Sequence, residues 1–501
     1  MAIKSTLLKP FAKLVSSKIK RDAKNAVRDQ EKIRQENIAT AKNTRFGMDH
    51  QFDHVATYED YKDAVPVRDY EELRTYFDAV KNGEANVLWP GIPKYLAKTS
   101  GTTSGVKYIP LTRASIPNHF GTARNALLHY TAQTGKGDWV DGKLIFLSGS
   151  PELSRTNGIL TGRLSGIANH MVPSWLKVSQ LPSLETNCVE DWEDKLERIV
   201  DETMDKNMTL ISGIPPWVQM YYERLLEKTG ASSVSELFPN YKVFVYGGVN
   251  FKPYREVLQK LVGRKIDSLE TYPASEGFIA FQDDVDDPSL LLNSNSGIFY
   301  EFVPVGEFGK ADASRVSLQD VKLGTNYVVI LNTNAGLWGY NIGDTVKFVS
   351  LDPYKLLVTG RLSHYISAFG EHVIGKEVEN AMVKASEELG IQIVEFTVAP
   401  QITPADGLPY HEWFVEFKEV PEKLHLLSQA LDNEMTKQNI YYLDLIKGKI
   451  LRPLKISPLH AGAFRNYMKS KGKLGGQNKV PRLSNDRTIA NALSEYKLGG
   501  I

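Results

Sequence analysis

Residues 97–110 read AKTSGTTSGVKYIP. A short strand-like run delivers Thr99, Ser100, Gly101, Thr102, Thr103, Ser104 and Gly105 in succession, with Lys107 two residues further on. Glycines let successive backbone N–H groups converge on one anion, the hydroxyls add donors, and the lysine adds a charge. Phosphate is the ligand this chemistry suits. The Walker loop is excluded on spacing, because G-x-x-x-x-G-K-[ST] needs its lysine directly after the second glycine. Here Lys107 stands two after Gly105, and Tyr108 follows it. Taken alone, the stretch is equally well a Ser/Thr-rich surface turn.

On either side, strands, glycine turns and helices alternate. A helix is expected from about Ser115 to Gln133, with Ser115 as its cap and Phe120, Arg124 and Leu128 on one face at i, i+4, i+8. KLIFLSGS (143–150), MTLISGIPPWVQMYYERLLEK (208–228), KVFVYGGV (242–249) and KIDSLETYPASEG (265–277) each read as a strand leaving through a glycine or proline turn. Short apolar strands between helices point to an α/β sheet flanked by helices. Beyond Gly297, SGIFYEFVPV, NYVVILNT and TVKFVSL alternate like antiparallel strands. A further change near Gly360 opens a smaller α+β segment: helix 376–389, strand 393–400, alternating strand HEWFVEFKE (411–419), helix 421–438, a Gly/Lys-rich loop 470–482 and a last helix. The expected division is a large domain, 1–360, and a small one, 361–501.

The balance of 60 Lys+Arg against 59 Asp+Glu argues against a dedicated nucleic-acid binder. The single cysteine, Cys188, excludes an internal disulfide and suits a reducing, cytoplasmic setting. No run of about 18 apolar residues marks an integral membrane span. At the N-terminus, Lys4, Lys9, Lys13, Lys18, Lys20 and Arg21 precede the first acid, Asp22, and Leu7, Leu8, Phe11, Leu14 and Val15 recur at helical spacing. A helix packed on the body and a membrane-surface or targeting segment both use this composition.

Four further motifs follow the glycine loop in order: YGGV (246–249), TYPASEG (271–277), GYNIGD (339–344) and GRLSHYISAFGEHV (360–373). Together with TSGTT-x-G-x-K they resemble the ANL adenylate-forming superfamily. SGIPPW (212–217) and GGQNKVPR (475–482) narrow the resemblance to the auxin-responsive acyl-acid amido synthetases, the Gretchen Hagen three family, and to its bacterial members. The likeness runs from about Thr44 to Arg482.

The resemblance implies a large adenylate-forming domain, α/β sheets flanked by helices plus a β-barrel-like part, with a small α+β C-terminal domain on a hinge. It implies ATP and Mg²⁺, a small carboxylic acid that is adenylated, and an amino acid whose amine receives the acyl group. Ser100, Gly101, Thr102, Thr103, Gly105 and Lys107 would serve the phosphates, and Gly247 and Gly248 would border the adenine, near which Tyr272 stacks. Ser275 would touch the phosphate and Glu276 would bind Mg²⁺, since a carboxylate is what Mg²⁺ prefers beside phosphate oxygens. Asp344 would hold the ribose, Arg361 the ribose or phosphate, and Lys479 would be the mobile lysine brought to the reacting oxygens. Ser363 and His364 mark the hinge, replacing the charged residues common there. Phe120, Arg124 and Leu128 are candidates for the acyl pocket wall. An acyl- or aryl-CoA ligase sharing the first step, and a non-enzymatic nucleotide or acyl binder, are the alternatives. Neither the acid, the amine nor the oligomeric state can be read from the sequence.

Overall fold

The computed structural model describes residues 3–100, 106–172, 174–189, 191–248, 251–310, 312–362, 365–366, 373–402, 404–448, 451–474, 479–484 and 486–499. The chain divides into two units, one of Met1–Ile342 with Val346–Val358, the other of Gly343–Thr345 with Thr359–Ile501.

In the first unit the strands Lys143–Phe146, Met208–Ser212, Val243–Gly247 and Asp267–Pro273 run parallel as neighbours. Met208–Ser212 is buried over its first four residues, as expected of a strand covered on both faces. Helices return the chain between them. Pro215–Thr229 starts on Pro215 and ends on Gly230 at φ 71°. Proline lacks the N–H that a first helical turn leaves unpaired, and glycine takes the left-handed C-terminal position without strain. The antiparallel strands beyond Asp267–Pro273, including Ile298–Pro304 and Asn326–Thr333, continue the same hydrogen-bonded ladder, so parallel and antiparallel parts form one twelve-stranded sheet. Where the resemblance implies a β-barrel-like part, the antiparallel strands continue this open sheet, with Val316–Ser317 at its edge. A second sheet of four strands contains the hairpin Tyr95–Ser100 and Val106–Leu111.

Ile298–Pro304 carries Glu301 into the core, where its carboxylate pairs with Arg315 and accepts from the Asn332 side chain at 2.7 Å. Asn332 in turn accepts from the Gly339 N–H at 2.6 Å. That network fixes the start of the strand Tyr340–Leu351, which carries the Tyr-x-x-Gly-Asp segment.

In the second unit, Ile393–Gln401, Tyr410–Phe417 and Lys455–Leu459 form a three-stranded sheet, the last pair parallel. The helices Gly375–Leu389 and Leu424–Gln438 pack together beside a core containing Trp413, Val415, Leu427 and Leu431. The helix Ile440–Lys447, the strand Lys455–Leu459 and the helix Ala463–Ser470 have no counterpart in the sequence reading.

Candidate active site

Open α/β sheets receive ligands at the carboxyl ends of their parallel strands. Val243–Gly247 and Asp267–Pro273 end side by side, with Gly247 opposite Thr271. A β-carbon on Gly247 would lie 2.4 Å from the Thr271 carbonyl oxygen and 2.9 Å from its hydroxyl. The Thr271 hydroxyl is itself committed, donating to the Tyr246 carbonyl at 2.9 Å. Gly248 adopts φ 78°, a left-handed conformation that glycine takes without strain. The Gly-Gly pair is therefore demanded twice, once by a closely approaching strand and once by the left-handed backbone.

Beyond Thr271, Tyr272 is buried against the main core. The chain then reverses tightly: the Ala274 N–H donates to the Gly277 carbonyl at 2.9 Å, and the Gly277 N–H returns to the Ala274 carbonyl at 3.2 Å. Ser275 and Glu276 occupy the tip of this turn, both half-buried. A carboxylate there is a hard oxygen donor of the sort Mg²⁺ takes along with phosphate oxygens. Among the described residues no group of three or more His, Cys, Asp or Glu is arranged to hold a metal ion unaided.

Asn118, absent from the sequence reading, anchors the exit of the same turn. Its carbonyl accepts from the Phe278 N–H at 2.7 Å, and its amide donates to the Phe278 carbonyl at 3.2 Å and the Ser296 hydroxyl at 2.8 Å. Asn118 lies in a π-helical turn, Pro117–Gly121, which precedes the α-helix Thr122–Thr134. This corrects the expectation of one α-helix from Ser115 to Gln133. Ser115 does not cap that helix: its hydroxyl accepts from the Thr112 N–H at 3.0 Å while the Thr112 hydroxyl accepts from the Ser115 N–H at 3.1 Å, the reciprocal pattern of a capping box one turn earlier. Phe120, Arg124 and Leu128 do not share one environment either. Phe120 is half-buried, Arg124 is exposed with its guanidinium on the Asn125 side chain, and Leu128 is buried. The π-turn ends at Gly121 and offsets Phe120 alone; Arg124 and Leu128 share the regular helix Thr122–Thr134 and still differ in exposure.

The glycine loop joins two antiparallel strands, with Ser100 opposite Val106 and Thr99 opposite Lys107. Gly101, Thr102, Thr103 and Gly105 lie outside the described residues, as do Ser363 and His364 of the hinge segment. The Lys107 ammonium stands over the Tyr70 ring, 5.6 Å from its centroid, and the Tyr70 hydroxyl accepts from the Tyr108 N–H at 3.1 Å.

In the second unit, Asp344 and Arg361 meet: Arg361 Nε lies 3.0 Å from Asp344 Oδ1, the carboxylate largely buried and the guanidinium half-exposed. The Leu362 N–H donates to the Gly343 carbonyl at 2.6 Å and holds the two segments in register. Lys479 joins this pair electrostatically. It keeps an exposed surface, yet its ammonium stands among enough protein atoms to bring its pKa down to about 8, with Arg361 pushing the same way and Asp344 and Glu379 opposing. The chain after Lys479 is pinned. Arg482 pairs with Glu379 at 3.2 Å and with Glu395, its guanidinium over the Phe396 ring. The Val398 N–H donates to the Arg482 carbonyl and the Ser484 N–H to the Val398 carbonyl, both at 2.9 Å.

The fold is shared with solved structures of an acyl acid amido synthetase and a CoA ligase. It superposes on GH3.15 acyl acid amido synthetase with a TM-score of 0.80 at 16% identity, covering 97% of this chain and 96% of that one. It superposes on 2-hydroxyisobutyryl-CoA ligase in its postadenylation state with a TM-score of 0.58 at 13% identity, over 94% and 90% of the two chains. The chain belongs to the GH3 family: the N-terminal domain of the family matches residues 15–176 and 160–266, the central domain 291–361 and the C-terminal domain 376–488. A jasmonoyl–L-amino acid synthetase, GH3.5, of Oryza sativa subsp. japonica is 24% identical over 93% of both chains.

Proposed function

We propose that this GH3-family chain is an ATP-dependent acid–amino acid ligase. The observation that carries the reading is the family match, which runs through all three family domains from residue 15 to residue 488. A carboxylate does not acylate an amine at neutral pH, because oxide is too poor a leaving group. In the first step an oxygen of the acyl carboxylate attacks the α-phosphorus of ATP, and the bond to the bridging oxygen of pyrophosphate breaks. In the second, the amino acid's neutral amine attacks the acyl-adenylate carbonyl, AMP leaves, and the amine gives up a proton. Both steps depend on positioning and on neutralising charge.

The roles fall as follows. Ser275 and the hairpin loop after Ser100 serve the phosphates, and the Gly247–Gly248 backbone borders the base. Asp344 accepts from the ribose hydroxyls and Arg361 donates to ribose or phosphate. Lys479, protonated, neutralises charge on the reacting oxygens, and the small unit turns about the segment at 360–364 between the steps. Glu276 would hold Mg²⁺, whose chemistry is neutralisation of the phosphate oxygens. The substrates fit the activities after which the curated relatives are named, acyl acids and amino acids.

Pyrophosphate release from ATP and Mg²⁺ tests the reading, measured over aryl, indolyl and aliphatic acids with pooled amino acids, with CoA, or with neither. Release stimulated by amino acids and accompanied by an amide product is expected. Stimulation by CoA alone would overturn the amine acceptor in favour of a thiol, and silence with every acid would remove the ligase reading. Glu276→Gln should raise the Mg²⁺ concentration needed for half-maximal rate, while ATP binding measured without metal stays as it was.

A further inference from the structure

The ligase chemistry makes no use of the helix Ile3–Lys24. One face packs inward, with Ser5, Ala12 and Ser16 buried and Leu8, Ile19 and Ala23 against the core that contains Ala126 and Tyr130 of the neighbouring helix. The opposite face carries Leu7, Phe11 and Leu14, which are 73%, 47% and 71% exposed. Spacings of four and three residues put them in one stripe. A helix that only covers its own core has polar residues there. Val178, 75% exposed, precedes Ser179, whose hydroxyl accepts from the Lys4 ammonium at 3.4 Å beside the first turn.

Charge decides what this surface fits. Ile3–Lys24 holds seven basic side chains and one acid, a net of +6 in a chain whose total is +1, so the remainder carries −5. Lys18 is paired with Asp22. Lys4, three residues before Leu7, and Arg21, seven after Leu14, are exposed on the same face as the stripe, whereas Lys9, Lys13 and Lys24 are exposed on another side of the helix. A second copy of the chain would bring the same positive face against this one, which like charges oppose. No helix among the described residues is long and apolar enough to cross a membrane.

We propose that this face docks the protein on an anionic lipid bilayer. The helix lies in the plane of the membrane, Leu7, Phe11 and Leu14 enter the boundary between headgroups and acyl chains, and the basic side chains beside them meet lipid phosphates. The negative remainder is repelled by the same surface, so the protein approaches with one orientation.

Cosedimentation of the full chain with phosphatidylcholine vesicles, with and without phosphatidylglycerol, tests the proposal. Binding is expected only to the anionic vesicles, and it weakens as added salt shortens the screening length. The triple variant Leu7→Ser, Phe11→Ser, Leu14→Ser should lower partitioning roughly tenfold or more while the melting temperature holds, because the three side chains face solvent. Lys4→Gln with Arg21→Gln should weaken binding and flatten its salt dependence. Absence of binding, equal binding to neutral vesicles, or a wild-type dimer that the triple variant dissociates would each overturn it.

Discussion

With Lys479 in the role proposed for it, the reaction takes a pH dependence that an ordinary lysine would not give. With its pKa brought down to about 8 by desolvation and by Arg361, its ammonium loses the proton across a range where solvent lysines keep theirs. If the protonated form acts in adenylation, the active fraction is about 0.91 at pH 7 and about 0.09 at pH 9, a fall of about tenfold. A lysine at the usual value of about 10.4 would still be about 96% charged at pH 9. The assay is acid-dependent pyrophosphate release at saturating ATP, with the amine omitted so that its own ionisation does not enter. The wild type should show an alkaline limb centred near pH 8. Lys479→Arg, whose guanidinium stays charged, should lose that limb whatever its absolute rate. The neighbours set the direction of further shifts. Arg361→Gln removes a repelling cation and moves the limb to higher pH, whereas Glu379→Gln removes an attracting anion and moves it lower. A flat profile to pH 10 in the wild type, or a limb in Lys479→Arg identical to it, would refute the reasoning.

Three other outcomes follow from the packing. Gly247→Ala should cost about 1–3 kcal/mol, since a backbone carbonyl 2.4 Å away cannot swing aside, and should raise the KM for ATP; unchanged melting and KM would show that the two strands separate freely. Asn118→Ala takes the side-chain acceptor from the Phe278 N–H, while the Phe278 carbonyl keeps the Asn293 amide at 3.1 Å, so about 1–3 kcal/mol of destabilisation is expected by urea unfolding, together with a larger Mg²⁺ requirement as the Glu276 turn loosens. Glu301→Ala strands the buried Arg315 guanidinium and should cost about 3–5 kcal/mol in the same assay, and a loss under 1 kcal/mol would mean that water reaches Arg315.

What could be read from the sequence was decided by backbone sterics. Gly247 and Gly248 are written into the chain because no other residue fits between Thr271 and a left-handed turn, and the parallel strands are written as short apolar runs because both their faces are covered. The Asp344–Arg361 pair was reachable because each residue closes a local motif, and the structure brings the two motifs together. The π-turn at Pro117–Gly121 has no such signature: it inserts one residue per turn without a characteristic side chain, so the i, i+4 count through Phe120 and Arg124 ran past it.

Polar residues inside strands were opaque for a different reason, and Tyr410–Phe417 shows it. HEWFVEF alternates as a half-solvated strand would, yet every residue from Tyr410 to Phe417 is buried. Glu412 is held by the Ser457 hydroxyl at 2.6 Å, Arg487 at 2.7 Å and Lys497 at 2.6 Å. Glu416 accepts from the Gly462 and Phe464 N–H groups and so caps the helix Ala463–Ser470. All of these partners lie 45 residues or more downstream. A carboxylate in a strand pattern signals solvent only if nothing distant comes to meet it, and that is a property of the tertiary fold rather than of any window of sequence. The same logic holds for Arg482, three residues after Lys479, whose two carboxylate partners are contributed by Glu379 and Glu395. The motif around Lys479 is thus recognisable locally, whereas the means of holding it is assembled from residues about a hundred positions away.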